Sequence, residues 1–187
     1  MIGWIILGIG TLGILWMVLI YNGLVAGRND VQGSWKQIDV QLKRRHDLIP
    51  NLVSTVKGAM EFEQDTLEKV ITARAKAVSA SGVQSKAEAE NVLTQALGKL
   101  FAVMENYPDL KSNRNIMQLQ EELTTTENRI AFARQLYNDL VANFRTQIQV
   151  FPNNIVSSLF NFRSEEYFEA EDAARATPAV NLSLKGK

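Results

Sequence analysis

The sequence predicts an all-α protein: an N-terminal transmembrane helix followed by an elongated antiparallel bundle of three or four helices. Three observations carry this. Residues 1–27 hold no charged side chain, and the rest of the 187-residue chain holds all 20 basic and all 20 acidic residues. From Val31 onward, apolar side chains recur by threes and fours, as one buried helix stripe does. No segment after the apolar run shows the period of two that a half-buried strand requires, which leaves helix-on-helix packing.

The first element is the run from Ile2 to Tyr21. At ~1.5 Å of rise per residue, a run of this length spans about 30 Å, the thickness of a bilayer's hydrocarbon core. Eleven of its side chains are Ile, Leu or Val, each worth roughly −0.3 to −0.6 kcal/mol near the bilayer centre, with no opposing charge. A cleavable signal peptide would need a basic leader and a shorter apolar core. The expectation is therefore an uncleaved anchor over 1–27, with Ile2, Trp4, Trp16, Ile20 and Tyr21 among its membrane contacts. Gly8, Gly10 and Gly13 spell a GxGxxG pattern with Asp30 beyond it, but the apolar run continues through it and no strand follows, so a dinucleotide fold is excluded.

Orientation follows from the cations. None precedes the span, whereas Arg28, Lys36, Lys43, Arg44 and Arg45 follow it. The positive-inside rule then places a single-pass protein in the cell membrane, N-terminus outside and soluble part in the cytoplasm. The absence of cysteine excludes a disulfide scaffold.

The soluble part is expected as a bundle over 28–162 with a loosely ordered tail over 163–187. Val31, Trp35, Ile38, Leu42, Ile49, Leu52, Val56, Met60, Leu67, Val70 and Val78 mark a first helix from about Asn29 to Ala80. Pro50 removes an amide donor and crowds the preceding turn, so a hinge, kink or break is expected at His46 to Pro50. Ser81-Gly82-Val83 forms a loop, and Ser85 with Glu88 spells a capping box for the next helix, which Pro108 closes. A third helix starts near Ser112 or Asn113, carries Ile116, Leu119, Leu123, Thr126, Ile130, Ala133, Tyr137, Leu140, Phe144 and Ile148, and ends before Pro152. Ile155 to Phe162 is a short apolar piece suited to packing on the bundle, and Glu165 to Ala176 is the one stretch of the tail with helical character. The sustained spacing also permits a coiled-coil oligomer.

The residues for catalysis are sparse. One His and no Cys leave no metal or nucleophile constellation, so neither a catalytic set, a metal site nor a cofactor is expected. Equal numbers of each charge give no field toward nucleic acid. Lys43, Arg44, Arg45 and His46 form the densest basic cluster. A straight helix would hold them ~25 Å above the membrane, beyond the ~8 Å reach of screened charge. The cluster is thus either a solvated or internally paired face, or a lipid or partner contact if the chain doubles back at Pro50.

Longer motifs carry a family likeness. Tyr21, Asn22, Leu24, Val25, Arg28, Asn29 and Val31 are followed by the unbroken Ile38 to Val53 segment containing RRHDLIPN. Then come Tyr107 to Ser112, Leu119 to Thr124, Thr126 to Ile130, Ala133-Arg134, Tyr137-Asn138, Phe151-Pro152 and Tyr167-Phe168. Together these resemble the LemA family, with one departure at Gly58-Ala59-Met60. The resemblance implies a membrane-anchored antiparallel bundle with no established reaction and no catalytic residues to carry over. Its polar signature groups would cap the kink and pair Arg or Glu across helices. The expected function is a non-enzymatic scaffold at the membrane, with the lipid bilayer, further copies of itself and other membrane proteins as its expected partners; the alternative is a signalling input module relaying through Pro50.

Overall fold

A computed structural model describes residues 1–58, 60 and 63–168. Its described elements are α1 (Ile2–Lys57), α2 (Gln64–Ser79), α3 (Val83–Met104), α4 (Pro108–Lys111), α5 (Arg114–Gln149) and α6 (Asn153–Leu159), with no strand among the described residues. The chain rises along α1, descends along α2, rises again along α3 and returns beside α1 along α5. The result is a four-helix bundle in which α1 and α5 form the long central pair.

The leading helix differs from the expected one in two ways. First, the apolar span and the first bundle helix are one continuous helix. Its residues from Ile2 to Leu19 lie outside the bundle and expose their apolar side chains, Trp4 and Trp16 among them. Ile20 and Tyr21 already touch the bundle, and Leu24 is fully buried in it. Gly8, Gly10 and Gly13 sit within this helix, so no strand-turn-helix unit exists there.

Second, the helix does not break at Pro50. It continues to Lys57, and the fold-back comes at the segment after Gly58. Proline at 50 leaves the carbonyl four residues earlier, His46 O, without its helical donor. Arg74 on α2 supplies the missing one, its Nε–H donating to His46 O at 2.7 Å. Pro50 itself is exposed, so its ring meets solvent rather than core.

The other boundaries follow local chemistry. Gly82 takes φ 85°, a left-handed conformation that glycine adopts without penalty, and ends the α2–α3 turn. The helix after it opens at Val83, two residues before Ser85, so the Ser85–Glu88 capping box does not form the start. The third helix starts near Ser112 or Asn113 as expected; Asn113 caps α5, its side-chain oxygen accepting from the amides of Asn115 at 3.0 Å and Ile116 at 3.4 Å. Pro108 closes nothing directly, because α3 has ended at Met104; it opens the single turn of α4 instead.

The core divides in two. A distal cluster joins Ile49, Leu52, Val56 and Met60 to α2, to α3 from Leu93 to Met104, and to Ile116 and Leu123 of α5. A proximal cluster joins Leu24, Val31, Ile38 and Leu42 to Ile130, Tyr137, Val141 and Phe144 of α5, and to Val156, Phe162 and Phe168. The α2–α3 hairpin thus covers the distal half of the α1–α5 pair, and the C-terminal segment covers the proximal half.

That segment corrects the expectation of a loose tail from 163. Residues 163–168 run without helix along the bundle, and Phe168 is fully buried. Asn138 fastens it from both sides: its Oδ1 accepts from the Phe168 amide at 2.9 Å and its Nδ2 donates to the Phe168 carbonyl at 3.2 Å. The rest of the Glu165 to Ala176 stretch lies outside the described residues.

Candidate functional site

Between the two apolar clusters runs a polar belt. On α1 it occupies the gap from Leu42 to Ile49, on α3 the gap from Ala87 to Leu93, and on α5 the gap from Leu123 to Ile130. Antiparallel and parallel neighbours with equal rise per residue bring these gaps level. Arg45 is its centre and is 1% exposed. One arm of its guanidinium donates to Glu127 Oε2 and, at 2.9 Å, to Thr94 Oγ1. The other donates to Glu90 Oε2 and, at 3.1 Å, to the Glu90 carbonyl.

Glu90, 3% exposed, is shared. Its second oxygen, Oε1, lies 2.7 Å from His46 Nε2, so the carboxylate is held by one residue pair on α1. The planar fork of Arg45 joins α3 to α5, and lysine has no equivalent geometry. Beside the belt a cavity of about 210 Å³ is lined by Arg45, Thr94, Leu97, Phe101, Leu123 and Glu127.

The basic cluster therefore splits. Adjacent helical residues differ by about 100° in direction, so four consecutive positions cannot share one face. Lys43 and Arg44 are exposed, whereas Arg45 and His46 turn inward. The expectation of one lipid or partner patch is corrected for Arg45 and His46, which are buried and whose guanidinium ends and Nε2 are engaged inside the protein. Glu90, Thr94 and Arg74 were not foreseen. The signal was present: Glu90 stands three residues after Ala87 and three before Leu93, in phase with a buried stripe.

Further down α5, Arg134 stacks over Phe168 at 4.7 Å. Burial lowers its pKa from the ordinary 12.5, while Glu127 pulls the other way. Tyr137 is 1% exposed and donates its hydroxyl to the Glu166 carbonyl at 2.8 Å. Burial, and secondarily the carboxylates of Glu165 and Glu166, push that hydroxyl from 10.0 up to about 12. The folded state thus holds the proton more tightly than the unfolded chain, a stabilisation complete below pH ~10 and lost as pH climbs toward ~12. Tyr137→Phe is expected to cost about 0.5–1.5 kcal/mol near neutral pH. The gap between the two proteins' urea midpoints should narrow across that alkaline window; a gap constant throughout it contradicts the assignment.

Among the described residues no group of three or more His, Cys, Asp or Glu side chains is placed to hold a metal ion. The belt's chemistry is that of a lock. It fixes the register of α1, α3 and α5 through charge-assisted bonds, and it presents neither an activated nucleophile nor a paired acid and base open to solvent. Fold and belt together define a class: a helical bundle built on the continuation of one helix whose leading part is long and apolar enough to cross a membrane.

The chain belongs to the LemA family, whose model matches residues 34–182. Protein LemA of Metamycoplasma hominis is 26% identical over 168 residues, covering 88% of this chain and 77% of that one. Magnetosome protein MamQ 2 of Paramagnetospirillum magneticum is 25% identical over 194 residues, covering 90% of this chain and 71% of its own. MamQ of Magnetospirillum gryphiswaldense is 24% identical with the same coverage. The motifs that carried the resemblance now have positions. Arg45 of RRHDLIPN meets Glu90 and Glu127, His46 meets Glu90, Tyr137-Asn138 meets the non-helical stretch that holds Tyr167-Phe168, and Pro50 is relieved by Arg74.

Proposed function

We propose that this protein is a non-enzymatic scaffold, anchored in the cell membrane by a single pass of α1, with its bundle in the cytoplasm and copies of itself as partners. The observation that carries this reading is the unbroken helix from the apolar span into the core of the bundle. A body joined in this way stands at a fixed height and direction instead of hanging from a linker, which suits a structural post. The orientation rests on the cations after the span, of which Lys43 and Arg44 are exposed. The MamQ relatives are named for a magnetosome, a structure and not a reaction, in keeping with an assembly role.

Self-association is supported by the side of the α1–α5 pair that the described residues of the hairpin and of the C-terminal segment leave open. A groove of about 650 Å³ runs there between Lys36, Val40, Arg129 and Phe132. Val40 is 63% and Phe132 72% exposed, large apolar side chains that a second bundle would cover. Sedimentation equilibrium of the full chain in detergent micelles is the test. The expected result is a mass that grows with concentration to a dimer or larger, returned to one protomer by Val40→Lys with Phe132→Glu at unchanged helical circular dichroism. One protomer at every concentration overturns the self-associating scaffold.

A further inference from the structure

Twelve large apolar side chains are exposed outside the apolar span among the described residues, and five of them fall within residues 150–160: Val150, Phe151, Ile155, Leu159 and Phe160. Phe151 is 77% and Leu159 66% exposed. Packing does not explain them, because this segment already has its inward face. Val156 and Phe162 enter the proximal core, and Ser157 donates to the Ile148 carbonyl at 2.8 Å, binding α6 under the end of α5. Phe151, Ile155 and Leu159, spaced by fours, point the other way.

Their height on the molecule is fixed by contacts with α1. A Cβ on Gly27 would stand 3.1 Å from the Phe144 ring, so these two positions are level. Equal and opposite rise then brings the end of α5 level with about residues 22–24. Phe160 confirms it: its ring lies 4.7 Å from that of Tyr21, at the foot of the apolar span. The charges agree. No carboxylate occurs from residue 140 to 164, nor before Asp30 on α1, while Arg28, Arg145 and Arg163 stand in these stretches.

We infer that α6 and its flanking turns are a second membrane contact, a foot that sinks Phe151, Ile155 and Leu159 into the headgroup and acyl boundary beside α1. The occupant of this surface is a lipid bilayer, anionic lipid being favoured by the acid-free, arginine-bearing rim. The inference rests on the reading of α1 as a bilayer span, with which the surface is continuous. The foot gives the bundle a second point of support, so that it cannot swing about the span as on a single stem.

The chain contains no cysteine, which makes single labels simple. Full-length Phe151→Cys, Ile155→Cys and Leu159→Cys, with Leu12→Cys for the span and Val92→Cys for a solvent-facing position on α3, are labelled with an environment-sensitive fluorophore. They are reconstituted into vesicles of phosphatidylcholine and phosphatidylglycerol carrying a nitroxide either near the headgroup or near the chain end. The three foot labels are expected to emit to the blue of Val92 and to lose most emission to the shallow nitroxide, as burial about 5–10 Å deep requires. Foot labels that match Val92 in colour and escape both nitroxides overturn the inference. Blue-shifted foot labels that escape both nitroxides overturn it too, since protein and not lipid then covers them. The Leu12 label is scored separately: quenching by the deep nitroxide supports the span, and its escape sinks the span without deciding the foot.

Discussion

Leu12→Arg combined with Leu15→Arg is expected to move the protein from the carbonate-resistant membrane fraction into the carbonate-extractable one. Both side chains are more than 60% exposed on a part of α1 that has no neighbour among the described residues of the bundle, so no internal packing there resists or explains the change. An arginine at the centre of a span costs about 2.5–3.5 kcal/mol, and the pair therefore about 5–7 kcal/mol, against a span whose insertion is driven by Leu, Ile and Val side chains worth a few tenths each. The substituted positions lie before Ile20, where contact with the bundle begins. The bundle should keep its helical circular dichroism while the anchoring is lost. A double variant that still resists carbonate would contradict the assignment of residues 2–21 to the bilayer.

The second large effect concerns the belt. Among the described residues, Arg45→Ala removes the one Lys or Arg side chain paired with Glu90, leaving it His46 Nε2, and it takes away the one ion-pair partner of Glu127, leaving it the Thr94 hydroxyl. Glu90 then stays 3% exposed between two apolar clusters with its charge largely uncompensated. Breaking one side of a buried pair in this way costs about 3–5 kcal/mol, whereas replacing both sides by apolar groups of similar size is often neutral or better. Arg45→Ala should accordingly lower the urea midpoint of the full chain steeply. Arg45→Met with Glu90→Leu should recover most of the loss, and Arg45→Lys should recover little because it cannot bond both carboxylates through one planar group. If Arg45→Ala and the Arg45→Met, Glu90→Leu pair are equally unstable, the belt acts through something other than charge.

The same belt explains why stability and specificity are separable here. Two apolar clusters stacked along one bundle would tolerate a slip of a helical turn, since a stripe of Leu, Ile and Val looks much the same one turn on. A three-helix set of charges does not, because a slip leaves Arg45 and Glu90 buried without each other.

Much of the architecture was legible from residues alone. The uncharged opening, the stripe of Val31 to Val56, the helix start near Asn113 and the turn at Gly82 are local signals, each depending on a few neighbours in the chain, and the structure places them as read. The burial of Arg45 was half legible. A step of seven positions from Leu42 to Ile49 demanded an inward side chain between them, but the residue there was a cation whose partners stand 45 and 82 positions away.

What the sequence by itself determined is the class: helices, their stripes and a membrane-length apolar run, because helical periodicity and hydrophobicity are properties of contiguous residues. The tertiary structure alone decided where the chain turns back and what closes its flanks. Proline at 50 orphans the His46 carbonyl, and the donor that meets it, Arg74, is 28 positions from His46. The segment to Phe168 docks where Asn138 and Tyr137 bond its backbone and Phe168 enters the proximal core. Each outcome turns on a hydrogen bond between distant residues, and such bonds exist only once the bundle has brought them together.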